Sequence, residues 1–325
     1  MGVAAEVVTA ATRGEPGREL DLTVLVPVLN EAPNMEPLIR KLVQDLAPLH
    51  LSYEILVLDD GSSDGTFDEV RRLRASTPGL RGIRFRRNFG KSAALSVGFA
   101  EARGRAVVTM DGDLQDDSAE IPRLLAALDE GYDLVSGWKQ NRRDPIMKTV
   151  PSKLFNAVTA AVSGVSLHDM NCGLKAYRQE VVRSVKLRGE LHRFIPVLAH
   201  NQGFKVGEIR TVHHPRLHGT SKFGMSRFLN GFLDLMAVQF MATSSTRPLH
   251  LFGRIGVTFA LVGGLVTIAT VWPWFLGHGL HVRPALLFGL VLVIMGIQFL
   301  SLGFLGELIA GTRAEEPRYE IRESF

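Results

Sequence analysis

The stretch Val107-Val108-Thr109-Met110-Asp111-Gly112-Asp113-Leu114-Gln115 decides how this chain folds and where its chemistry lies. Four residues of strand-forming character run directly into two carboxylates that one glycine separates. In an extended segment residues i and i+2 point to the same side, so Asp111 and Asp113 would direct two anions at one place. Two such carboxylates repel each other unless a cation lies between them. The pattern therefore predicts a site for a hard divalent cation, Mg2+ or Mn2+.

Two further residues of this stretch fit a metal site that is shared with substrate phosphates. Gln115 adds an amide oxygen, and Gly112 lets the backbone approach a substrate closely. The alternative interpretation is an ordinary acidic turn, since Asp-Gly is a common turn dipeptide. The position directly after an apolar strand favours the metal site, with Asp111, Asp113 and Gln115 as its ligands.

Strands alternate with helices around this stretch. The predicted strands cover residues 22–28, 54–58, 83–85, 107–110 and 133–137. The predicted helices cover residues 34–46, 92–102 and 119–129, with another that begins at a capping-box sequence, Thr66 to Glu69. This alternation predicts an α/β fold with an open, mostly parallel, Rossmann-like sheet. Ligands of such sheets bind at the carboxyl ends of the strands, which is where the acidic clusters of this chain fall.

Several basic residues could hold phosphate groups. Gly90-Lys91-Ser92 resembles the end of a P-loop, but Phe85 stands where its first glycine is required. Lys91 at a helix start could still face a phosphate; an ordinary solvated lysine is an equal alternative. Arg216 and Lys222 flank Ser221 and are suited to hold phosphate oxygens. The basic run from residue 138 to 153 could be a solvated loop, and the spacing of the histidines at 213–218 matches no metal site.

Composition limits the classes of function. Of the 325 residues 46% are hydrophobic, and the excess is concentrated after residue 250. The formal net charge is +4, but the basic residues form no aromatic-laced stripe, so nucleic acid is not the expected partner. The one cysteine, Cys172, excludes an internal disulfide and a CxxC zinc site. Residues 1–20 contain no apolar run, so we expect a disordered lead-in without a secretory signal.

The C-terminal third has the pattern of a membrane anchor. Residues 224–246 are apolar on a broad face yet charged, which predicts an interfacial amphipathic helix. Within residues 247–311, two uncharged runs, about 255–277 and 284–306, are each long enough to cross a bilayer. Arginines flank the outer ends of these runs, so both termini, including the tail at 312–325, are expected in the cytoplasm. Some glycines would let the two spans pack closely with each other or with another subunit, namely Gly263, Gly264, Gly289, Gly296 and Gly303.

Taken together, these motifs carry a resemblance to a known family. The segments are Val26-Pro27-Val28-Leu29-Asn30-Glu31, Asp59-Asp60-Gly61-Ser62-Ser63-Asp64-Gly65-Thr66, Met110-Asp111-Gly112-Asp113-Leu114-Gln115-Asp116, Asn171-Cys172-Gly173-Leu174-Lys175, Glu190-Leu191-His192-Arg193-Phe194-Ile195-Pro196 and His218-Gly219-Thr220-Ser221-Lys222-Phe223. In this order they resemble the inverting GT-A glycosyltransferases of the dolichol-phosphate mannose synthase type. The paired spans are similar to those of bacterial, membrane-anchored members. The resemblance implies a GT-A domain over residues 21–223.

The resemblance also implies roles for individual residues. The residues that would line the base and ribose pocket of a nucleotide-diphosphate sugar are Pro27, Asn30, Glu31, Asp59 and Asp60. Asp111, Gly112 and Asp113 would meet the diphosphate with its cation, and Asp169 would lie near the reacting sugar. The lipid phosphate would be received by Lys139, Arg142 and Arg143, although many members have Ser-Arg where this chain has Gly137-Trp138-Lys139. Arg216, Ser221 and Lys222 match the family segment that closes over the diphosphate near the membrane.

The implied activity is transfer of one sugar, from a donor of the UDP-glucose or GDP-mannose class, to a polyprenyl phosphate such as undecaprenyl phosphate. The implied location is the cytoplasmic face of the bacterial inner membrane, with the lipid bilayer as a partner and a homo-tetramer as the implied assembly. A different class remains open, namely a non-catalytic nucleotide-sugar sensor or a flipping or scaffold protein. A processive polysaccharide synthase is disfavoured, because two spans are few for a channel and no Gln-x-x-Arg-Trp motif occurs.

Overall fold

The structure, a computed structural model, describes residues 20–139, 159–160, 163–187, 189, 191–214, 248–276, 284–312 and 321–324. The chain divides into two compact units. The first comprises Met1–Val238 together with Pro317–Phe325, and the second is Gln239–Glu316. Residues 1–19 of the predicted lead-in at 1–20, and the predicted interfacial helix at 224–246, lie outside the described residues. Leu20 is the first residue of a strand, so the predicted lead-in is wrong at that position.

The described part of the first unit contains the predicted alternation, with boundaries shifted by a few residues. Its strands are β1 Leu20–Val28, β2 Tyr53–Asp59, β3 Leu80–Phe85, β4 Gly104–Thr109, β5 Leu134–Lys139, β6 Lys175–Arg178, β7 Val206–Thr211 and β8 Ile321–Ser324. Its α-helices are α1 Ala32–Leu46, α2 Thr66–Arg74, α3 Lys91–Glu101, α4 Ile121–Asp129, α5 Gln179–Ser184 and α6 Ile195–Asn201. Short 3-10 turns are Ala47–Leu49, Ser118–Glu120 and Leu191–Phe194.

One sheet holds all of these strands, in the order β7-β5-β6-β4-β1-β2-β3-β8. The neighbours β4, β1, β2 and β3 run parallel, as do β5 and β7. The strand β6 is antiparallel to both β4 and β5, and β8 is antiparallel to β3. The predicted mostly parallel α/β sheet is therefore confirmed, with antiparallel strands that the sequence pattern did not predict.

Helices cover both faces of the sheet and bury its central strands. On β1, Val24 and Val26 contribute to one apolar cluster and Leu25 to the other, as the alternation of side chains in a strand requires. The first cluster includes apolar residues of α1, α2 and α4, and the second includes residues of α3, α5 and α6. Because both faces are covered, β2 is buried along its whole length.

At the end of the sheet opposite to the acidic clusters, the buried carboxylate of Glu54 connects neighbouring segments through hydrogen bonds and an ion pair. Glu54 accepts hydrogen bonds from the Thr23 hydroxyl at 2.8 Å and the Arg103 N–H at 3.0 Å. Its other oxygen lies 2.9 Å from Arg81, which also contacts Glu101 at 3.0 Å. Glu54 is 3% exposed and Glu101 is 46% exposed, so one arginine has a buried and a solvated partner.

We expect Glu54→Ala to lower the free energy of unfolding by about 2 kcal/mol, because it leaves buried donors without their acceptor. The matched control is Glu101→Ala, which removes the exposed partner of the same arginine and should cost less than about 0.5 kcal/mol. Urea unfolding of the detergent-solubilised protein measures both. Equal effects of the two variants would contradict this account of the network.

The described part of the second unit contains two long apolar helices, α7 Pro248–Phe275 and α8 Pro284–Thr312. The segments Leu249–Pro273 and Pro284–Gly306 are long and apolar enough to cross a membrane, with mean hydropathies of 2.0 and 2.5. Only 11% of the most apolar window of each is buried, which does not suit the core helices of a soluble domain. The first helix begins before the predicted run at 255–277 and includes Arg254.

Glycines bring α7 and α8 together, as the sequence predicts for most of them. A β-carbon on Gly263 would lie 2.6 Å from the carbonyl oxygen of Gly289, and one on Gly296 would lie 2.7 Å from the Ala260 nitrogen. Gly303 is in looser contact with Leu249, whereas the position of Gly264 is open. Gly264 therefore does not pack the two helices against each other, and its packing against another subunit stays a prediction.

Candidate active site

The polar residues that follow β1, β2 and β4 meet at one edge of the sheet. These strands are parallel neighbours, and Val28 at the end of β1 is in register with Asp59 at the end of β2. Pro27 lies within β1 and is half-buried, and Asn30 and Glu31 follow that strand directly. Asp111 follows β4 by two residues. The structure thus brings together the residues that the sequence assigned to a common edge.

The loop after β1 is hydrogen-bonded to the loop after β2. The Asn30 side chain accepts the backbone N–H of Ser63 at 2.9 Å. The backbone N–H of Asn30 donates to the Ser62 hydroxyl at 2.8 Å. The Glu31 N–H donates to the Thr66 hydroxyl at 2.9 Å. The predicted capping box at Thr66 is wrong. The Thr66 hydroxyl bonds instead to Glu31 and Asp64, and the residue before the helix, Gly65, provides no side-chain cap.

Asp59 and Asp60 are both buried but have different partners. Asp59 accepts the Ser62 N–H at 2.9 Å and lies 3.4 Å from the guanidinium of Arg84. Asp60 accepts the N–H groups of Phe89 and Gly90 at 2.7 and 2.9 Å. Burial raises the pKa of both carboxyls. Asp59 therefore holds its own loop, and Asp60 positions the start of α3, where Lys91 lies.

The turn after β4 does not keep strand geometry. The strand ends at Thr109, and Leu114 has a positive φ of 61°. Strand geometry, on which the predicted shared side of Asp111 and Asp113 depends, therefore does not extend to these two residues. The Asp111 N–H donates to Asp116 at 3.1 Å, and Asp113 accepts the Gln115 N–H at 3.2 Å. These bonds fold the segment into a tight acidic turn.

Two glycines lie in close contact with neighbours beside this turn. A β-carbon on Gly112 would lie 2.6 Å from a methyl carbon of Val28. A β-carbon on Gly173 would lie 2.6 Å from the carboxyl carbon of Asp111. Gly112 is therefore needed for contact with β1, and Gly173 gives the Asp111 carboxylate its space.

Three lysines surround Asp111. Lys91 forms an ion pair with it, Lys139 pairs with Asp116 at 2.9 Å, and the buried Lys175 donates to the carbonyl of Cys172. Burial acts to raise the pKa of Asp111, but the three lysine charges outweigh it and hold this pKa well below its ordinary value. Burial lowers the pKa of Lys175. Burial also acts to lower the pKa of Lys139, but the negative charges of Asp116 and Asp111 outweigh it and raise this pKa. The site is thus an acidic turn inside a ring of cations.

The residues just after β7 are attached to the acidic turn. His213 forms a β-bridge with Asp116, and the His214 N–H donates to the Gln115 carbonyl at 2.9 Å. The Gln115 amide donates to the His214 carbonyl at 3.4 Å, and the His214 ring lies 3.0 Å from Asp117. These contacts therefore hold the segment after β7 against the acidic turn that follows β4.

The donor set fits a hard divalent cation that takes part of its ligands from a substrate. Asp111 and Asp113 supply carboxylates from one short turn, and Gly173 leaves room beside Asp111. Within the described ranges, no group of three or more histidine, cysteine or carboxylate side chains is arranged to hold a metal alone. A cation here would need further oxygens, such as those of a diphosphate.

The other predicted site residues fall into two groups. Asp169 is buried, 2% exposed, and accepts the Asn171 N–H at 3.2 Å on the segment that leads to Gly173. The remaining predicted residues lie outside the described part of the chain, namely Arg142, Arg143, Arg216, Ser221 and Lys222.

Sequence reasoning missed four contributors to this site. They are Asp116, Gly173, Lys175 and His192. All four lie in the quoted motifs, so their presence in those motifs was the available signal. The contacts of Gly173 and Lys175 depend on where β6 lies in the sheet, and those of His192 depend on the turn Leu191–Phe194. The sequence pattern predicted neither element. Asp116 pairs with Lys139 at the end of β5.

The buried His192 is expected to make the free energy of unfolding depend on pH. Its ring lies 3.0 Å from the Ser92 hydroxyl, and burial with the nearby Lys91 and Arg193 lowers its pKa to about 2. The unfolded chain binds a proton there below its ordinary pKa of 6.5 and the folded chain does not. We expect wild type to lose about 1 kcal/mol more unfolding free energy between pH 7 and 5.5 than His192→Gln. Urea unfolding at both pH values tests this, and parallel losses would contradict it.

Comparison with known proteins identifies relatives along the whole chain. The model of glycosyl transferase family 2 matches residues 23–186. Dodecaprenyl-phosphate galacturonate synthase of Rhizobium johnstonii is 36% identical over 320 residues, which cover 96% of this chain and 95% of that protein. Undecaprenyl-phosphate 4-deoxy-4-formamido-L-arabinose transferase of Edwardsiella ictaluri is 34% identical, with 93% of each chain covered.

Solved structures with a similar fold include glucosyl-3-phosphoglycerate synthase of Mycobacterium tuberculosis. One of these structures holds Mn2+, UDP and glucosyl-3-phosphoglycerate. It is 20% identical, covers 71% of this chain and 86% of its own, and has a TM-score of 0.51. This similarity confirms the predicted GT-A type of fold.

Proposed function

The chain belongs to glycosyl transferase family 2, and on this premise we propose that it transfers one sugar from a nucleotide-diphosphate sugar to a polyprenyl phosphate. The observation that carries the proposal is its alignment, over nearly all of its length, with sugar transferases whose named acceptors are dodecaprenyl and undecaprenyl phosphate. The site supports it, because an acidic turn and three lysines meet at the sheet edge where α/β folds bind ligands.

The donor would lie across the carboxyl ends of β1, β2 and β4. The proposed base and ribose contacts are Pro27, Asn30, Glu31, Asp59 and Asp60. A nucleotide is favoured there because the two loops are already hydrogen-bonded into a rigid wall. The donor is of the UDP-glucose or GDP-mannose class.

The diphosphate would lie over the acidic turn. Asp111, Asp113 and Gln115 would hold Mg2+ or Mn2+, with Gly112 close to the phosphates and Lys91 as a further phosphate contact. A structurally similar glycosyltransferase has been crystallised with Mn2+ and UDP, which supports this choice of ion. The chemistry that such a cation supplies when bound is neutralisation of charge on the departing nucleoside diphosphate.

Positioning would do most of the catalytic work. The acceptor phosphate oxygen is already anionic near neutral pH, so its attack on the anomeric carbon needs little help from a general base. The new carbon–oxygen bond forms as the bond to the nucleoside diphosphate breaks on the opposite face, which inverts the anomeric centre. The lysines around Asp111 would stabilise the charge that develops on the leaving group.

The remaining roles complete the proposed site. Asp169 would lie near the reacting sugar, where its carboxylate is held by the Asn171 N–H. Lys139, Arg142, Arg143 and Ser221 would receive the lipid phosphate, and Arg216 and Lys222 would close over the diphosphate.

The two apolar helices would anchor the enzyme in the lipid that contains its acceptor. We place both termini and the catalytic unit on the cytoplasmic side of the bacterial inner membrane, because the flanking arginines favour that side. The residues at 224–246 would lie at the head groups, and a homo-tetramer is the proposed assembly.

A transfer assay tests the proposal. A thermal-shift screen of nucleotide sugars with and without Mn2+ first selects the donor, because a ligand of the folded state raises its stability. Membranes that contain the protein then receive the radiolabelled donor, Mn2+ and undecaprenyl phosphate. We expect one lipid-linked monosaccharide, and none when the lipid phosphate is omitted. Mn2+-dependent nucleotide binding without any product would instead support the sensor alternative.

A further inference from the structure

Lys91 occupies the position on Asp111 that a cation would take. Its ammonium contacts one oxygen of the Asp111 carboxylate, and the two side chains are 32% and 34% exposed. Lys139 is already paired with Asp116, and Lys175 donates to the Cys172 carbonyl. Of the three lysines around Asp111, Lys91 is thus the one shown in direct contact with this carboxylate.

Lys91 also lies beside the loop that is proposed to hold the nucleotide. It is the first residue of α3, and Asp60 accepts the N–H groups of the two residues before it, Phe89 and Gly90. Gly90 has a φ of 92°, which a glycine adopts readily. A substrate held by the Asp59–Asp60 loop would therefore place its phosphates beside the start of this helix, where a flexible lysine can reach them.

We propose that Lys91 is an exchangeable counter-ion that couples metal binding to nucleotide binding. In the free protein it neutralises Asp111 and competes with the divalent cation. When a nucleoside diphosphate binds, Lys91 moves to a phosphate oxygen and leaves the carboxylate to the metal. This inference rests on the proposed function and adds the order in which the ligands bind. The metal alone binds weakly, and the diphosphate of the donor increases its affinity.

An ion pair of this exposure is suited to such an exchange. The contact between Lys91 and Asp111 is about one-third exposed, so a doubly charged ion and a diphosphate can reach it and replace it together. A pair as buried as that of Lys139 with Asp116, whose side chains are 13% and 1% exposed, would exchange far less readily. Among the lysines around Asp111, Lys91 is therefore an accessible cation and Lys139 a buried one.

Mn2+ binding to the full-length solubilised chain, followed by electron paramagnetic resonance, tests the proposal without any turnover. We expect Lys91→Met to bind Mn2+ alone about fivefold more tightly than wild type, because its competitor is gone. UDP and GDP, added in parallel arms, should increase the Mn2+ affinity of wild type strongly. In Lys91→Met this increase should be about tenfold smaller, and by reciprocity Mn2+ should improve nucleotide affinity correspondingly less.

The control is Lys205→Met, which removes the same charge from an exposed lysine. Lys205 directly precedes β7, whereas the site lies at the opposite end of that strand. It should leave Mn2+ binding unchanged, and Lys91→Arg should keep the weak Mn2+ binding of wild type. Unchanged or weaker Mn2+ binding by Lys91→Met would overturn the proposal. So would a wild type that binds Mn2+ equally well with and without nucleotide, a result that needs no variant. The arm with Mn2+ alone remains decisive even if neither nucleotide binds, so failure here is distinct from failure of the proposed function.

Discussion

Asp113→Asn is expected to reduce sugar transfer by about a thousandfold, which corresponds to about 4 kcal/mol of transition-state stabilisation. Asp113 is 8% exposed and accepts the Gln115 N–H through one carboxylate oxygen. An asparagine has nearly the same shape and can keep that bond through its amide oxygen. The substitution therefore removes a negative charge from the acidic turn while the backbone of the turn is retained.

The test compares initial rates of lipid-linked sugar formation at saturating donor, together with Mn2+ affinity in the presence of nucleotide. Both should fall in Asp113→Asn, while the melting temperature stays close to that of wild type. Asp129→Asn makes the same change on an exposed residue at the end of α4 and should keep full activity. Full activity in Asp113→Asn would remove Asp113 from the metal site.

The part of the site that lies on parallel strands could be predicted from the sequence. The apolar run of β2 followed by Asp59 and Asp60 indicates a strand buried on both faces that ends in carboxylates. In a parallel sheet all such ends lie at one edge, so the local pattern alone places Asp59, Asp60 and Asp111 together. No knowledge of distant contacts is needed for this step.

The rest of the site depends on contacts between residues far apart in the chain. Gly173 reaches Asp111 because β6 inserts antiparallel between β4 and β5. The four residues of β6 carry no periodic signal long enough to be recognised. His192 meets Ser92, a hundred positions away, through a single 3-10 turn. Such pairings are set by tertiary packing, and local propensity does not encode them.

The outermost strand of the sheet, β8, is another element that local sequence does not predict. It pairs antiparallel with β3, with Arg84 in register with Glu323. The sequence after the second apolar helix reads as a charged tail, because four residues give too short a pattern for a strand. An available sheet edge in β3 supplies the hydrogen bonds that make this segment a strand.

The second large effect is expected for Gly173→Ala, which should slow sugar transfer by about a hundredfold with little change in stability. The added β-carbon would lie 2.6 Å from the carboxyl carbon and one oxygen of Asp111, and 2.8 Å from the other oxygen. The backbone of Gly173 cannot retreat easily, because its carbonyl accepts the Thr109 hydroxyl at 2.9 Å. The end of the Asp111 side chain must therefore move, which is inexpensive for folding but displaces a proposed metal ligand.

Steady-state kinetics and Mn2+ affinity should both report the displacement in Gly173→Ala. Gly264→Ala is the matched control, since the position of its β-carbon is open and the site is in the other unit. It should retain the activity of wild type. If Gly173→Ala transfers sugar at the wild-type rate, the position of the Asp111 carboxylate does not limit catalysis. If it instead unfolds at a much lower temperature, Gly173 acts through the fold and its role at the site is structural.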